Sequence, residues 1–154
     1  MTALPEQFDA WMAGALDEAA LCAESGDVPV GAIVVDAEGQ VIGRGHNERE
    51  KLQDPTAHAE VIALRAASAV TGDWHLTGCT LVVTLEPCPM CAGAILAARV
   101  PRVVFGAWDD KAGAAGSLYD VLRDRRLPFR SEVYAGAREH ECAALLLDFF
   151  ATRR

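Results

Sequence analysis

The stretch from Thr80 to Gly106 leaves the chain few ways to fold. Thr80-Leu81-Val82-Val83-Thr84-Leu85 is an unbroken β-rich run that passes directly into Glu86-Pro87-Cys88-Pro89. Pro89 suits the first position of a helix, because its fixed φ is already helical and its missing N–H is not needed there. That helix is expected to run to about Arg99, where Pro101 closes it, and Arg102-Val103-Val104-Phe105-Gly106 follows as another strand. Two strands joined through a single helix lie parallel in one sheet by a right-handed crossover.

The rest of the chain fits around this unit. Phe8, Trp11, Met12, Ala15, Leu16, Ala19, Cys22 and Ala23 recur with a 3.6-residue period, which predicts an amphipathic helix ending before Ser25-Gly26-Asp27, its stripe laid on a sheet. Val30 to Val35 and Gln40 to Gly45, separated by Asp36-Ala37-Glu38-Gly39, read as a β-hairpin. Asp54-Pro55-Thr56 offers a turn and an N-cap for a helix over about Ala57–Val70, which Thr71-Gly72-Asp73 stops. Gly113-Ala114-Ala115-Gly116-Ser117 reads as a loop, Glu132-Val133-Tyr134 as a short last strand, and residues 137–150 as a final helix with Cys142, Leu145, Leu146 and Phe149 on one side. The order α, β, β, α, β, α, β predicts an α/β protein, a three-layer α/β/α sandwich around a mixed sheet of about five strands. Without internal repeats or linkers, residues 1–154 form one domain.

Charge narrows the partners. The formal net charge of −8 does not advertise binding to nucleic acid or to anionic membranes through whole-chain electrostatics. The imbalance is uneven, however: residues 1–60 hold 3 basic and 12 acidic side chains, residues 61–154 hold 11 and 10. A polyanion would meet the second half, with Arg123, Arg125, Arg126, Arg130, Arg153 and Arg154 as its footing, unless these form only a solvated helix face. The longest apolar run, Met90 to Ala98, falls far short of the roughly 20 residues that span a bilayer, so no membrane segment is expected. No Lys or Arg precedes Arg44, which does not match a secretory or transit signal, and a cytoplasmic location is expected. Five cysteines, an odd number, in a reducing compartment argue against a disulfide framework.

The cysteines are therefore metal ligands, catalysts or core filler. His58-Ala59-Glu60 and Pro87-Cys88-Pro89-Met90-Cys91 place an imidazole and two thiols at the starts of two successive helices. Cys88 and Cys91, three apart on a turn, can face one point, and a helix N-terminus favours the thiolate that zinc requires. A Cys-x-x-Cys alone is equally a redox pair or two core thiols; the added histidine favours zinc. Structural zinc takes four protein ligands and catalytic zinc three. The candidates for a fourth are His46, His75, His140, Cys22, Cys79 and Cys142, of which Cys22 and Cys142 lie on apolar helix stripes and Cys79 begins a strand. Glu60 is the natural base for a metal-activated water, or else a first-turn carboxylate that stabilises its helix by about 0.3–1 kcal/mol. Residues two apart on an ideal helix point in divergent directions, so spacing alone does not put His58 and Glu60 in one site.

The pattern His-x-Glu with Pro-Cys-x-x-Cys is the signature of zinc nucleobase deaminases. Val28 to Ala32, Asp54 to Glu60, Thr84 to Ala94, Gly113 to Leu118, and Glu141 to Leu146 with Asp148-Phe149-Phe150 resemble the bacterial tRNA-specific adenosine deaminases over about residues 8–154. The Asp54–Glu60 and Pro87–Cys91 segments also resemble bacterial guanine deaminases; the tRNA reading rests on Phe105 to Leu118 and on the C-terminal helix. The resemblance implies a cytidine deaminase-like fold and hydrolytic conversion of adenosine to inosine at the wobble position, position 34, of an arginine tRNA. It implies one zinc ion per subunit on His58, Cys88 and Cys91, a zinc-activated water directed at C6, and Glu60 as the proton carrier. It further implies that Asn47 bonds the base and that the Ala59 N–H contacts the attacking oxygen, with Asp109, Lys111, Phe149, Phe150 and Arg153 near a groove for the tRNA anticodon stem-loop. A homodimer is implied as well. On the residues alone Asn47 is equally a turn residue and Phe149 equally core.

Two other readings stay open. A free-base deaminase acting on guanine or cytosine would share the zinc chemistry and have no use for an open groove or the Arg123–Arg130 cluster. A structural zinc or RNA-binding module would close its metal with a fourth ligand and would not need Glu60.

Overall fold

The computed structural model describes residues 3–153. Helix α1 (Glu6–Ala20) continues as one 3-10 turn (Leu21–Glu24), followed by β1 (Gly31–Val35), β2 (Val41–His46), the single-turn α2 (Arg49–Leu52), α3 (Ala59–Thr71), β3 (Thr80–Leu85), α4 (Pro89–Ala97), β4 (Arg102–Ala107), β5 (Glu132–Ala135) and α5 (Glu139–Ala151). The five strands form one mixed sheet in the order β2-β1-β3-β4-β5. β1 pairs antiparallel with both β2 and β3, whereas β3–β4 and β4–β5 are parallel.

Alternate residues of the inner strands enter two separate cores, as the period-2 pleat requires. Ala32, Val34, Leu81, Val83, Val103 and Phe105 join Ala63, Leu64, Ala67, Ile95 and Leu96 of α3 and α4. Ile33, Val35, Val82 and Val104 meet Phe8, Met12 and Ala15 of α1 and Cys142 of α5 on the other face. This is the α/β/α sandwich. Cys22, Cys79 and Cys142 are all buried.

Helix α3 lies in near backbone contact with β2. A Cβ on Gly43 or Gly45 would run into the backbone of α3, at Ala63 and Ala67 for the first and at Ala59 and Ala63 for the second. The absent side chains let α3 settle closely enough to fix its first turn against the strand.

Several boundaries differ from expectation, each for a local reason. The helix expected from Ala57 starts at Ala59, because His58 is extended (φ −80°, ψ 151°) and serves as the N-cap position. Its cap bond is supplied from far along the chain: the Ala59 N–H donates to Asn47 Oδ1 at 2.9 Å. The pattern gives no sign of α2, whose Glu50 and Lys51 N–H groups donate to the Asp27 carboxylate at 2.8 and 3.3 Å. Helix α4 stops at Ala97, two residues early, where Arg99 turns left-handed (φ 61°) and donates from its guanidinium to the Leu96 carbonyl at 2.7 Å. Helix α5 begins at Glu139 rather than 137, after a left-handed Arg138. Of its inner side only Cys142 is buried; Leu145, Leu146 and Phe149 are partly covered. Among the described residues no helix is long and apolar enough to cross a membrane.

Candidate active site

The N-terminal ends of α3 and α4 converge beside the end of β3. His58 and Cys88 each occupy the extended N-cap position of their helix, and Pro89 opens α4. His58 Nδ1 lies 3.7 Å from Cys88 Sγ and 3.5 Å from Cys91 Sγ. Because His58 is extended rather than helical, the divergence expected of residues two apart on a helix does not arise. Glu60, in the first turn of α3, is 4 % exposed and sits against the same cluster.

The residues fit a zinc ion. Tetrahedral zinc with bonds of about 2.3 Å to sulfur and 2.0–2.1 Å to nitrogen holds S and N about 3.6 Å apart, the separation seen here. The three donors lie within 4.8 Å of one another, and they are the one such group among the described residues. None of His46, His75, His140, Cys22, Cys79 or Cys142 joins them. Three nitrogen and sulfur donors, with no fourth from the protein, is the catalytic pattern.

The protonation pattern is polarised. The Cys88 thiol is held down to about 4, first by the hydrogen bond from Cys91 and then by the one with His58, while its own burial opposes this. Cys91 is displaced upward by that same bond and by burial. His58 is raised, chiefly by its hydrogen bond with Cys88. Burial pushes the Glu60 carboxyl up to about 7, so it can gain or lose a proton near neutral pH.

A cavity of about 220 Å³ opens over this cluster, walled by Val28, Val30, Asn47, Arg49, His58, Glu60, Leu85, Glu86, Cys88, Asp109 and Ala112. It is smaller than the roughly 300–1,000 Å³ typical of pockets for drug-sized ligands and suits a single flat ring system. Asn47 sits at the wall with both ends of its amide engaged, Nδ2 donating to the Val28 carbonyl at 3.0 Å and Oδ1 accepting from Ala59. The Ala59 N–H is thus paired within the protein. Asp109 lines the cavity, and its carboxylate accepts from the backbone N–H groups of Lys111 (3.1 Å) and Ala112 (3.2 Å); the Lys111 side chain is exposed.

A second depression shares Val28, Asn47 and Arg49 with this cavity and extends to Gly26, Asp27, Glu50, Phe149 and Arg153. The Arg153 guanidinium stacks over Phe149 at 3.8 Å, and Phe150, 53 % exposed, meets Phe149 edge-on. The arginines of the 121–130 segment lie on turns and irregular backbone rather than on a helix. Arg123 pairs with Asp120 at 2.9 Å and Arg126 with Asp124 at 2.7 Å, so two of those charges are already matched within the chain. Arg154 lies outside the described residues.

Residues 5–107 match the zinc-binding region of the cytidine and deoxycytidylate deaminases. The chain belongs to this deaminase family. Over 148 residues it is 45 % identical to the tRNA-specific adenosine deaminase of Bacillus subtilis (strain 168), covering 96 % of this chain and 91 % of that one. A solved structure of a tRNA:A34 deaminase that edits A to I at the wobble position of transfer RNA superposes with a TM-score of 0.85 at 42 % identity, covering 89 % of this chain and 99 % of that one. The guanine deaminase of Nitrosomonas europaea superposes at 0.78 with 26 % identity, covering 98 % and 87 %. The deaminase fold and its zinc site therefore stand on sequence, structure and donor geometry together.

Sequence reasoning missed Arg49, Glu86, Val28, Val30, Leu85 and Ala112 in the wall. Two of them left a signal. Arg49 is one of only three basic residues among the first 60, two positions from Asn47, and Glu86 is a lone carboxylate directly after a buried strand.

Proposed function

We propose that this deaminase converts adenosine to inosine at position 34 of a tRNA, with an arginine tRNA as the substrate. The observation that carries the reading is the continuity of the base-sized cavity with the depression that holds Arg49, Phe149 and Arg153. A base presented on a polymer arrives with flanking phosphates and splayed neighbours, which call for cations and an aromatic face beside the pocket mouth. A free base needs neither. The identity to tRNA-specific relatives, 42–45 %, exceeds the 26–34 % to guanine deaminases and supports the same choice.

Hydrolytic deamination adds water at C6 of the base and expels ammonia. One group must take the proton of the water and deliver protons to N1 and to the departing amine. Glu60 carries both transfers, a role supported by its burial against the ligand cluster and by a carboxyl that this burial pushes up to about 7. Zinc on His58, Cys88 and Cys91 supplies the Lewis acidity that makes water a nucleophile at neutral pH. Asn47 shapes the wall the base meets while capping α3.

The protein works in the cytoplasm, where its substrate is, and as a homodimer. An apolar groove between α3 and α4, lined by Val61, Leu64, Trp74, Ala94 and Ala97, supports the pairing, as does a Trp74 that is 56 % exposed.

The deciding experiment compares zinc-loaded protein on an arginine tRNA with adenosine at position 34, on free adenosine, and on guanine and cytosine. Inosine in the tRNA alone is the expected result; turnover of guanine or cytosine without tRNA would replace it with a free-base deaminase. Binding should also respond to salt. Arg49→Ala and Arg153→Ala are each expected to flatten the plot of log affinity against log salt by about 0.7 for each single-stranded phosphate that the arginine neutralises. An unchanged slope would remove these arginines from the RNA path.

A further inference from the structure

Glu86 is 2 % exposed, yet nothing in the deamination chemistry uses its carboxylate. Its two oxygens collect three backbone N–H groups from one loop: Oε1 accepts from Asp109 at 2.9 Å, and Oε2 from Ala115 at 2.9 Å and Ser117 at 3.1 Å. The loop is closed by further bonds onto the same point. The Asp109 carbonyl accepts from the Ser117 hydroxyl at 2.7 Å and from the Gly113 N–H at 2.8 Å, and the Ala114 N–H donates to the Pro87 carbonyl at 2.8 Å. Gly113 is required here for space, since a Cβ would overlap the Glu86 carboxylate and the Ser117 hydroxyl. Asp109 and Ala112, on this loop, form one wall of the base-sized cavity.

We propose that Glu86 is a positioning residue that holds the Asp109–Ser117 loop as a fixed wall of the substrate pocket, governing how tightly the substrate binds rather than how fast it reacts. It stands two residues before the ligand Cys88, so the strand that places the metal also places the wall. The binding part of the inference rests on the deaminase reading above; the hold on the loop does not.

Glutamine in place of Glu86 makes a selective test. Its one carbonyl oxygen is drawn to the side with two donors, Ala115 and Ser117, leaving an NH₂ facing the Asp109 N–H. In the zinc-loaded Glu86→Gln protein, hydrogen exchange at the Asp109 amide is expected to accelerate by at least about tenfold while Ala115 and Ser117 stay protected. Glu86→Ala should release all three. KM, measured on whichever of tRNA, free adenosine, guanine or cytosine the wild type turns over, is expected to rise about tenfold in Glu86→Gln, with kcat within about threefold. Unchanged exchange at Asp109, or a loss confined to kcat, would overturn the proposal. If neither Glu86 variant folds, Ser117→Ala removes a single exposed hydroxyl from the same loop, and its KM is expected to rise about twofold; an unchanged KM would equally overturn it. Failure of the wild type on tRNA would count against the proposed substrate, while the exchange at Asp109 would still decide what Glu86 does.

Discussion

Glu60→Gln is expected to lower turnover by about 10²–10⁴-fold, the contribution usual for a positioned general acid–base. Zinc content and affinity for tRNA should stay near wild type. The substitution is isosteric and keeps a polar group against Cys91, so the wall of the cavity is undisturbed; what disappears is a group able to accept a proton from water and return it to N1 and the leaving amine. The competing role for this carboxylate, stabilising the first turn of α3, is worth only about 0.3–1 kcal/mol. That corresponds to a change in melting temperature of no more than about 4 °C for a chain of this size. Inosine formation and a thermal melt on the same sample therefore separate the roles. Activity within tenfold of wild type would take proton transfer away from Glu60.

Removal of the metal should have the largest effect on the protein as a whole. Cys91→Ala deletes a fully buried ligand and is expected to abolish both zinc retention and deamination, whereas Cys79→Ala, at another buried thiol, should leave metal content unchanged. Chelation of the wild type tests the same point without mutation. A metal present at 1,000 times its dissociation constant stabilises the folded state by about 4.1 kcal/mol. Stripping it should lower the melting temperature by about 8–16 °C, and added zinc should restore both the transition and the activity. A chelated protein that melts unchanged would show that His58, Cys88 and Cys91 do not carry the ion.

The fold was largely readable in the residues because its signals are local. Apolar periodicity marks α1, a short apolar run closed by Asp36-Ala37-Glu38-Gly39 marks β1, and Pro89 marks the start of α4, each within a few positions. The ligand trio was readable for the same reason. The features that escaped depend on contacts between distant parts of the chain. No local pattern announces that Asn47 caps α3, that Asp27 holds α2, or that Glu86 gathers a loop 23 to 31 residues later. Spacing left the convergence of His58 and Glu60 open, and only the family resemblance implied it, for a different reason. It depends on where the helix begins, and a start two residues later turns His58 into an extended residue free to face the cluster. The arginines of the 121–130 segment misled in the opposite sense, since counting charges cannot show that Arg123 and Arg126 are already matched to Asp120 and Asp124.

The helix ends that hold the ligand cluster and the segments that wall the far side of the cavity and its neighbouring depression come from different parts of the chain. His58 and Cys88 immediately precede α3 and α4, and Glu60 and Cys91 lie in their first turns, on one face of the sheet, while Asp109 sits on a connecting loop, and Phe149 and Arg153 lie on and just beyond a helix from the opposite face. Such an arrangement divides the labour of adaptation. Changes along the last helix alter one wall of the depression at a distance from the ligand cluster, whereas changes in the loop act on a wall that Glu86 and Pro87 tie to the turn that carries Cys88.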